Sequence, residues 1–141
     1  MNSPLTVEAD LHIDRRGKGR KELCVGPAPA AAPPRLPRVT KLLALAHRLA
    51  GLLREGVFRD YAAIAAAGHV TSARVSQIMA LRNLAPDLQA AILFLPRVPR
   101  GRDPVILADL MPIATELDWT RQRRLWHALR IESGTVAETA R

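Results

Sequence analysis

One cysteine, five aromatic residues and no long apolar run set the first limits on this 141-residue chain. With Cys24 alone no intrachain disulfide can form, and a reducing cytosol is the expected setting. The apolar stretch at residues 90–95 falls far short of the ~20 residues a helix needs to cross a bilayer, so no membrane partner is expected. The first residues include acidic side chains and no apolar leader-like core, so no secretory signal is expected either. So few aromatics offer no base-stacking platform, which disfavours RNA as the ligand. Acidic residues are outnumbered, 13 Asp and Glu against 21 Lys and Arg, for a formal net charge of +8. That balance points to a polyanion, nucleic acid first.

Catalytic signatures are absent as well. His12, His47, His69 and His127 are dispersed, no pair of ligands has metal-site spacing, and no Gly-rich phosphate loop occurs. Ser72 and Ser76 have no evident base. No enzyme activity, metal or cofactor is therefore expected.

What the chain does contain is a pattern at residues 60–81. Ile64 and Ala65, a break at Gly68-His69-Val70, and then Val75 and Ile78 have the spacing of two short helices joined by a tight turn, a helix-turn-helix. Ile64, Ala65, Val70, Val75 and Ile78 form one apolar set, and small Ala65 lets the helices cross closely. The outer face of the second helix is left to Ser72, Ala73, Ser76 and Gln77, flanked by Arg74 and Arg82. Such side chains suit a major groove: Gln pairs with adenine, Ser with several bases, and Ala meets a thymine methyl. Thr71 is placed to cap the helix, with amides behind it for a phosphate. The usual motif has Gly where His69 stands. Either His69 is left-handed or the turn re-forms around Gly68.

On the N-terminal side, residues 5–14 alternate apolar and polar as a strand does. Arg15, Arg16, Lys18, Arg20 and Lys21 follow as a basic tip, and residues 23–25 make a return strand. This hairpin needs further strands, from a second subunit for example. Its basic residues suit DNA-phosphate contact and equally a solvated turn that discourages edge aggregation.

The Pro/Ala stretch at residues 26–37 reads as an extended linker. A helix is expected from Thr40, as N-cap, to Arg54, burying Leu42, Leu45, Ala46, Leu49, Leu52 and Leu53. Pro86 suits a first helical position and opens another helix, with Asp87 favouring its positive end. Residues 96–104 form a basic connector that either tracks a DNA backbone or is simply a loop. A short helix at residues 105–111 should end near Pro112. Asp118 should cap a last helix over residues 119–130, with Trp119, Trp126 and Leu129 sharing one face and Arg123 and Arg130 another.

The run YAAIAAAGHVTSARVSQIMALRNLAPDLQAAIL resembles the helix-turn-helix part of ParB/KorB-like DNA-binding proteins. Closer still, LLALAHRL, GHVTSARVSQIM, LAPDLQAAILFLP and DWTRQRRLW resemble small helix-turn-helix proteins encoded beside recombinases on bacterial phages and integrated elements. This second resemblance covers most of residues 38–127. It implies sequence-specific binding of double-stranded DNA, with Thr71, Ser72, Ala73, Ser76 and Gln77 at base-reading positions. Neither an Arg-rich nucleotide-binding box nor a long N-terminal domain is present, so a ParB-like clamp is not implied.

The expected architecture is mainly α: a multi-helix helix-turn-helix domain carrying an N-terminal β-hairpin arm. Its segments are the arm at 1–25, the linker at 26–37, the helix-turn-helix core at 38–96 and a C-terminal helical extension at 97–141. The expected role is a transcriptional regulator or recombination accessory factor, nucleoid-associated when bound. Arg74, Arg82 and the five basic residues of the arm are the candidate phosphate contacts. A homodimer is expected, and a recombinase is a further candidate partner. The competing expectation is a protein adaptor that docks a recombinase or RNA polymerase without reading DNA.

Overall fold

A computed structural model describes residues 8–16, 20–27 and 33–138. The chain divides into two compact units, Met1–Pro33 and Pro34–Arg141.

In the first unit, β1 (Leu11–Arg16) and β2 (Arg20–Val25) pair antiparallel, with Leu11 opposite Val25 and Arg16 opposite Arg20. The ladder starts later than the alternation at residues 5–14 suggests, with residues 5–7 outside the described ones. It also runs on through Arg15, Arg16, Arg20 and Lys21, which were expected to form the tip. Once the inner rungs have paired, each further rung adds hydrogen bonds without a new loop to close. Residues 17–19, between the strands, lie outside the described residues.

The second unit is mainly helical, a small α domain. Its helices are α1 (Arg38–Arg54), α2 (Tyr61–Ala67), α3 (Ser72–Ala80), α4 (Pro86–Leu93), α5 (Leu107–Ala114) and α6 (Trp119–Glu138), with a 3-10 turn at Leu81–Asn83. Two apolar clusters organise it. Val39, Leu43, Leu81, Leu84, Leu88, Ile92, Val105, Leu110 and Ile113 form the larger, with Trp126 and Leu129 packed against it. Ala46, Ala50, Ile64, Ala65, Val75, Ile78 and Met79 form the smaller. Helix α1 contributes its first half to one cluster and its second half to the other, so it braces α2 and α3 against the rest. Residues 97–138 share the larger core through α5 and α6.

Helix α1 differs from expectation at both its start and its face. It begins at Arg38, and Thr40 is not its cap: the buried Thr40 hydroxyl donates to the Ile92 carbonyl at 2.7 Å. The cap comes from far along the chain, where Asp103 Oδ2 accepts from the Arg38 amide at 2.8 Å. Val39, Leu43, Ala46 and Ala50 are buried, whereas Leu45 is 42% exposed. Six leucines spread around this helix leave the apolar stripe broad, and the small Ala46 and Ala50 take the positions of closest approach.

Residues 34–37 are held rather than free to extend. Arg35 forms an antiparallel bridge with Val98, donates through Nη2 to the Gly101 carbonyl at 2.7 Å, and pairs with Asp103. The connector at residues 97–103 is thus a brace for the start of α1. Helix α5 runs through Pro112 instead of ending there. The proline removes one early intrahelical bond, and burial of Leu110, Ile113 and Ala114 offsets that loss. No described helix is long and apolar enough to cross a membrane.

Candidate nucleic-acid interface

Two short helices and their turn build the surface around α3. Asp60 caps α2, accepting from the Ala63 amide at 2.8 Å. That hydrogen bond first, and the Arg59 guanidinium second, hold the Asp60 carboxyl below its ordinary pKa. Gly68 ends α2, and a Cβ there would meet the Ile64 carbonyl at 3.3 Å. His69 has φ +51, so of the two ways to make the turn the chain uses a left-handed histidine. The Val70 amide returns to the Ala65 carbonyl at 3.0 Å. Thr71 then starts α3, its hydroxyl accepting from the Arg74 amide at 3.2 Å.

Helical spacing sorts α3 into two faces. Val75, Ile78 and Met79 are buried against Ile64 and Ala65, with the small Ala65 side chain allowing the close crossing. Thr71, Ser72, Ala73, Ser76 and Gln77 are exposed. This outer face offers hydroxyls, a methyl and one carboxamide, all on a helix held from behind. Arg74 is half-buried, and its Nη1 lies 3.4 Å from Gln77 Oε1. The guanidinium therefore lies beside the carboxamide. Arg82 is exposed on the 3-10 turn that follows.

The five basic residues of the N-terminal segment belong to the other compact unit. Register sets Arg15 opposite Lys21 and Arg16 opposite Arg20; Lys18 lies outside the described residues.

Two glutamines that local sequence pattern does not single out hold the chain that leaves α3. Gln122, on α6, is fully buried. Its Oε1 accepts from the Ala85 amide at 2.7 Å, and its Nε2 donates to the Asn83 and Glu116 carbonyls at 3.1 and 2.8 Å. Gln89 donates to the Arg82 and Leu84 carbonyls at 3.0 and 2.7 Å, while its Oε1 lies 2.7 Å from His47 Nε2. The available signal was a polar residue on an apolar stripe, since Gln122 precedes Trp126 and Leu129 by one and two helical turns.

Behind the turn lies an open apolar groove of about 430 Å³ whose walls include Leu45, Leu49, Phe58, Ile64 and Val70. Val70, expected in the packed set, is 47% exposed at its rim. In the first turn of α4, Asp87 receives both Arg123 Nε and Nη2 at 2.9 Å. The paired guanidinium holds the Asp87 carboxyl below its ordinary pKa. Arg130 stacks over Trp126 at 5.8 Å from the ring centre. Trp119, expected on the same buried face as Trp126, is 49% exposed, and Gln122 occupies the inward position instead.

No protein-family model, curated protein or solved structure matches this chain.

Proposed function

We propose that the chain binds double-stranded DNA in a sequence-dependent manner by setting α3 of a helix-turn-helix into the major groove. In this reading it is a homodimeric transcriptional regulator or recombination accessory factor of a bacterial mobile element, cytoplasmic and nucleoid-associated when bound. One observation carries the reading: Ser72, Ala73, Ser76 and Gln77 share the solvent side of α3 while Val75, Ile78 and Met79 anchor the other. The N-terminal half of a helix bearing short polar groups fits against base edges. Affinity then comes from phosphate contacts by Arg74, Arg82 and the basic strand residues, and discrimination from α3.

The test is fluorescence anisotropy with duplexes tiling the DNA around the protein's own gene, at two salt concentrations and with scrambled competitor. One tightly bound, competitor-resistant tile is expected. Uniform weak binding that salt abolishes would leave charge alone acting and defeat the reading.

The apolar groove beside the turn favours a second reading, an adaptor that docks a recombinase or RNA polymerase through its helices. Partner capture that survives Gln77→Ala, with no selective DNA binding by the wild type, would support it.

A further inference from the structure

Arg74 and Gln77 stand three residues apart on α3, where side chains one helical turn apart are neighbours. Arg74 Nη1 donates to Gln77 Oε1 at 3.4 Å. Arg74 is half-buried and its amide is held by the Thr71 hydroxyl, so its side chain starts from a fixed place on the helix. The orientation of the carboxamide follows from the inventory of donors rather than from the length of that contact. A guanidinium has only N–H donors, and with the amide turned over the Gln77 NH2 would meet it donor to donor. Oxygen toward Arg74 leaves the Nε2 hydrogens for whatever lies in front of α3. Residues 61–86 contain no Asp or Glu. Among the described residues no carboxylate pairs with Arg74, so no acidic group competes for the guanidinium.

The contact bears on which base Gln77 reads. Adenine shows the major groove a donor at N6 beside an acceptor at N7, and matching both takes the oxygen and the nitrogen of a free carboxamide. Guanine shows two acceptors, O6 and N7. We propose that Arg74 positions Gln77 with its oxygen turned aside and its nitrogen forward, so that Gln77 reads guanine rather than adenine. The two Nε2 hydrogens go to O6 and N7, and the neighbouring cation favours the same pair of acceptors while disfavouring the N6 donor. Cytosine is rejected on the same ground, since its N4 donor meets no carboxylate on this helix. Thymine fills half the pattern, with one acceptor beside a methyl group. Arg74 acts here through Gln77 as a positioning residue, whatever its remaining N–H groups reach.

This inference rests on the reading of α3 as a recognition helix and names a base that it reads. The test selects bound duplexes from a randomised pool with the full chain and its variants. The wild type is expected to enrich a motif with guanine, by about tenfold or more over adenine, at the position whose preference disappears in Gln77→Ala. In Arg74→Ala the carboxamide is free to turn, and adenine is expected to rise at least to parity there. Arg74→Lys, whose ammonium also has only donors, is expected to keep guanine. A merely structural role for Arg74 would lower enrichment at every position alike without exchanging one base for another. Four results would overturn the pairing and leave DNA reading standing: a motif with no position that depends on Gln77, a base other than guanine at that position, an Arg74→Ala chain that still prefers guanine, or an Arg74→Lys chain that behaves as Arg74→Ala does. Enrichment of no sequence by the wild type would overturn both.

Discussion

Gln77 is exposed on α3, with Arg74 as its neighbour, so removing its side chain changes what the surface can touch far more than how the chain folds. Gln77→Ala is expected to lower discrimination between cognate and scrambled duplexes by about 1–3 kcal/mol, with unfolding free energy held to within about 0.5 kcal/mol. Anisotropy with both duplexes, together with a urea melt, reads the two quantities. Equal selectivity before and after the change would remove Gln77 from the binding face. Gln122 is the opposite case. It is fully buried and serves three backbone groups, so Gln122→Ala strands them without partners. A loss of about 1–3 kcal/mol in unfolding free energy is expected, measured by urea denaturation. Three outer residues of α3 were legible because 3.6-residue spacing turns 73, 76 and 77 away from 75, 78 and 79; Ser72, one and two turns before 75 and 79, is exposed because it opens the helix. Gln122 was not, because the Asn83 carbonyl and the Ala85 amide that it serves lie almost forty residues away and only the folded chain brings them to it.

At the scale of elements, the start of α1 depends on a carboxylate from another segment. Burial acts to raise the Asp103 pKa, but the Arg38 amide and then the Arg35 guanidinium outweigh it, and the carboxyl sits below its ordinary value. A depressed folded pKa contributes stability that is complete above the unfolded value near ~3.9. That contribution is lost as pH falls through the lower folded value. Asp103→Asn is therefore expected to lower stability at neutral pH and to flatten its fall below about pH 4. Thermal melts from neutral to acid pH check this; an acid limb as steep as that of the wild type would assign the dependence to other carboxylates. The cap at Thr71 was readable because donor and acceptor lie three residues apart. The cap from Asp103 reaches across 65 residues to Arg38, and no local pattern announces it. Helix α5 outruns its expected end for a related reason, because a proline's local cost is visible in sequence and the burial that offsets it is not.

For the whole molecule, charge and its placement set the expected response to salt. The net charge is +8, and residues 101–141 hold six basic and six acidic side chains, so the excess lies in the earlier part of the chain. Neutralising Arg15, Arg16, Lys18, Arg20 and Lys21 together is expected to weaken binding to every duplex alike. The salt slope should fall by about one for each phosphate that the arm neutralises in the wild type. Titrations at several salt concentrations measure this; an unchanged slope would mean the arm touches no phosphate. The mainly helical character of the chain was legible because amphipathic periodicity and caps recur along residues 38–130. The joining of residues 97–138 to the same core was not, since an apolar stripe shows that a helix must pack and leaves open against what.

The order in which the chain is made gives the long-range brace of α1 a consequence of its own. Translation delivers α1, α2 and α3 first, and domains are assembled from the N-terminus as they emerge. Yet Thr40 needs Ile92, the amide of Arg38 needs Asp103, and the turn after α3 needs Gln122. On the ribosome, the nascent helices stand with α1 uncapped and the larger core open until these later residues appear. A chain cut short near residue 96 is thus expected to be cleaved by added protease faster than one that includes α6, which can close both ends of the unit at once.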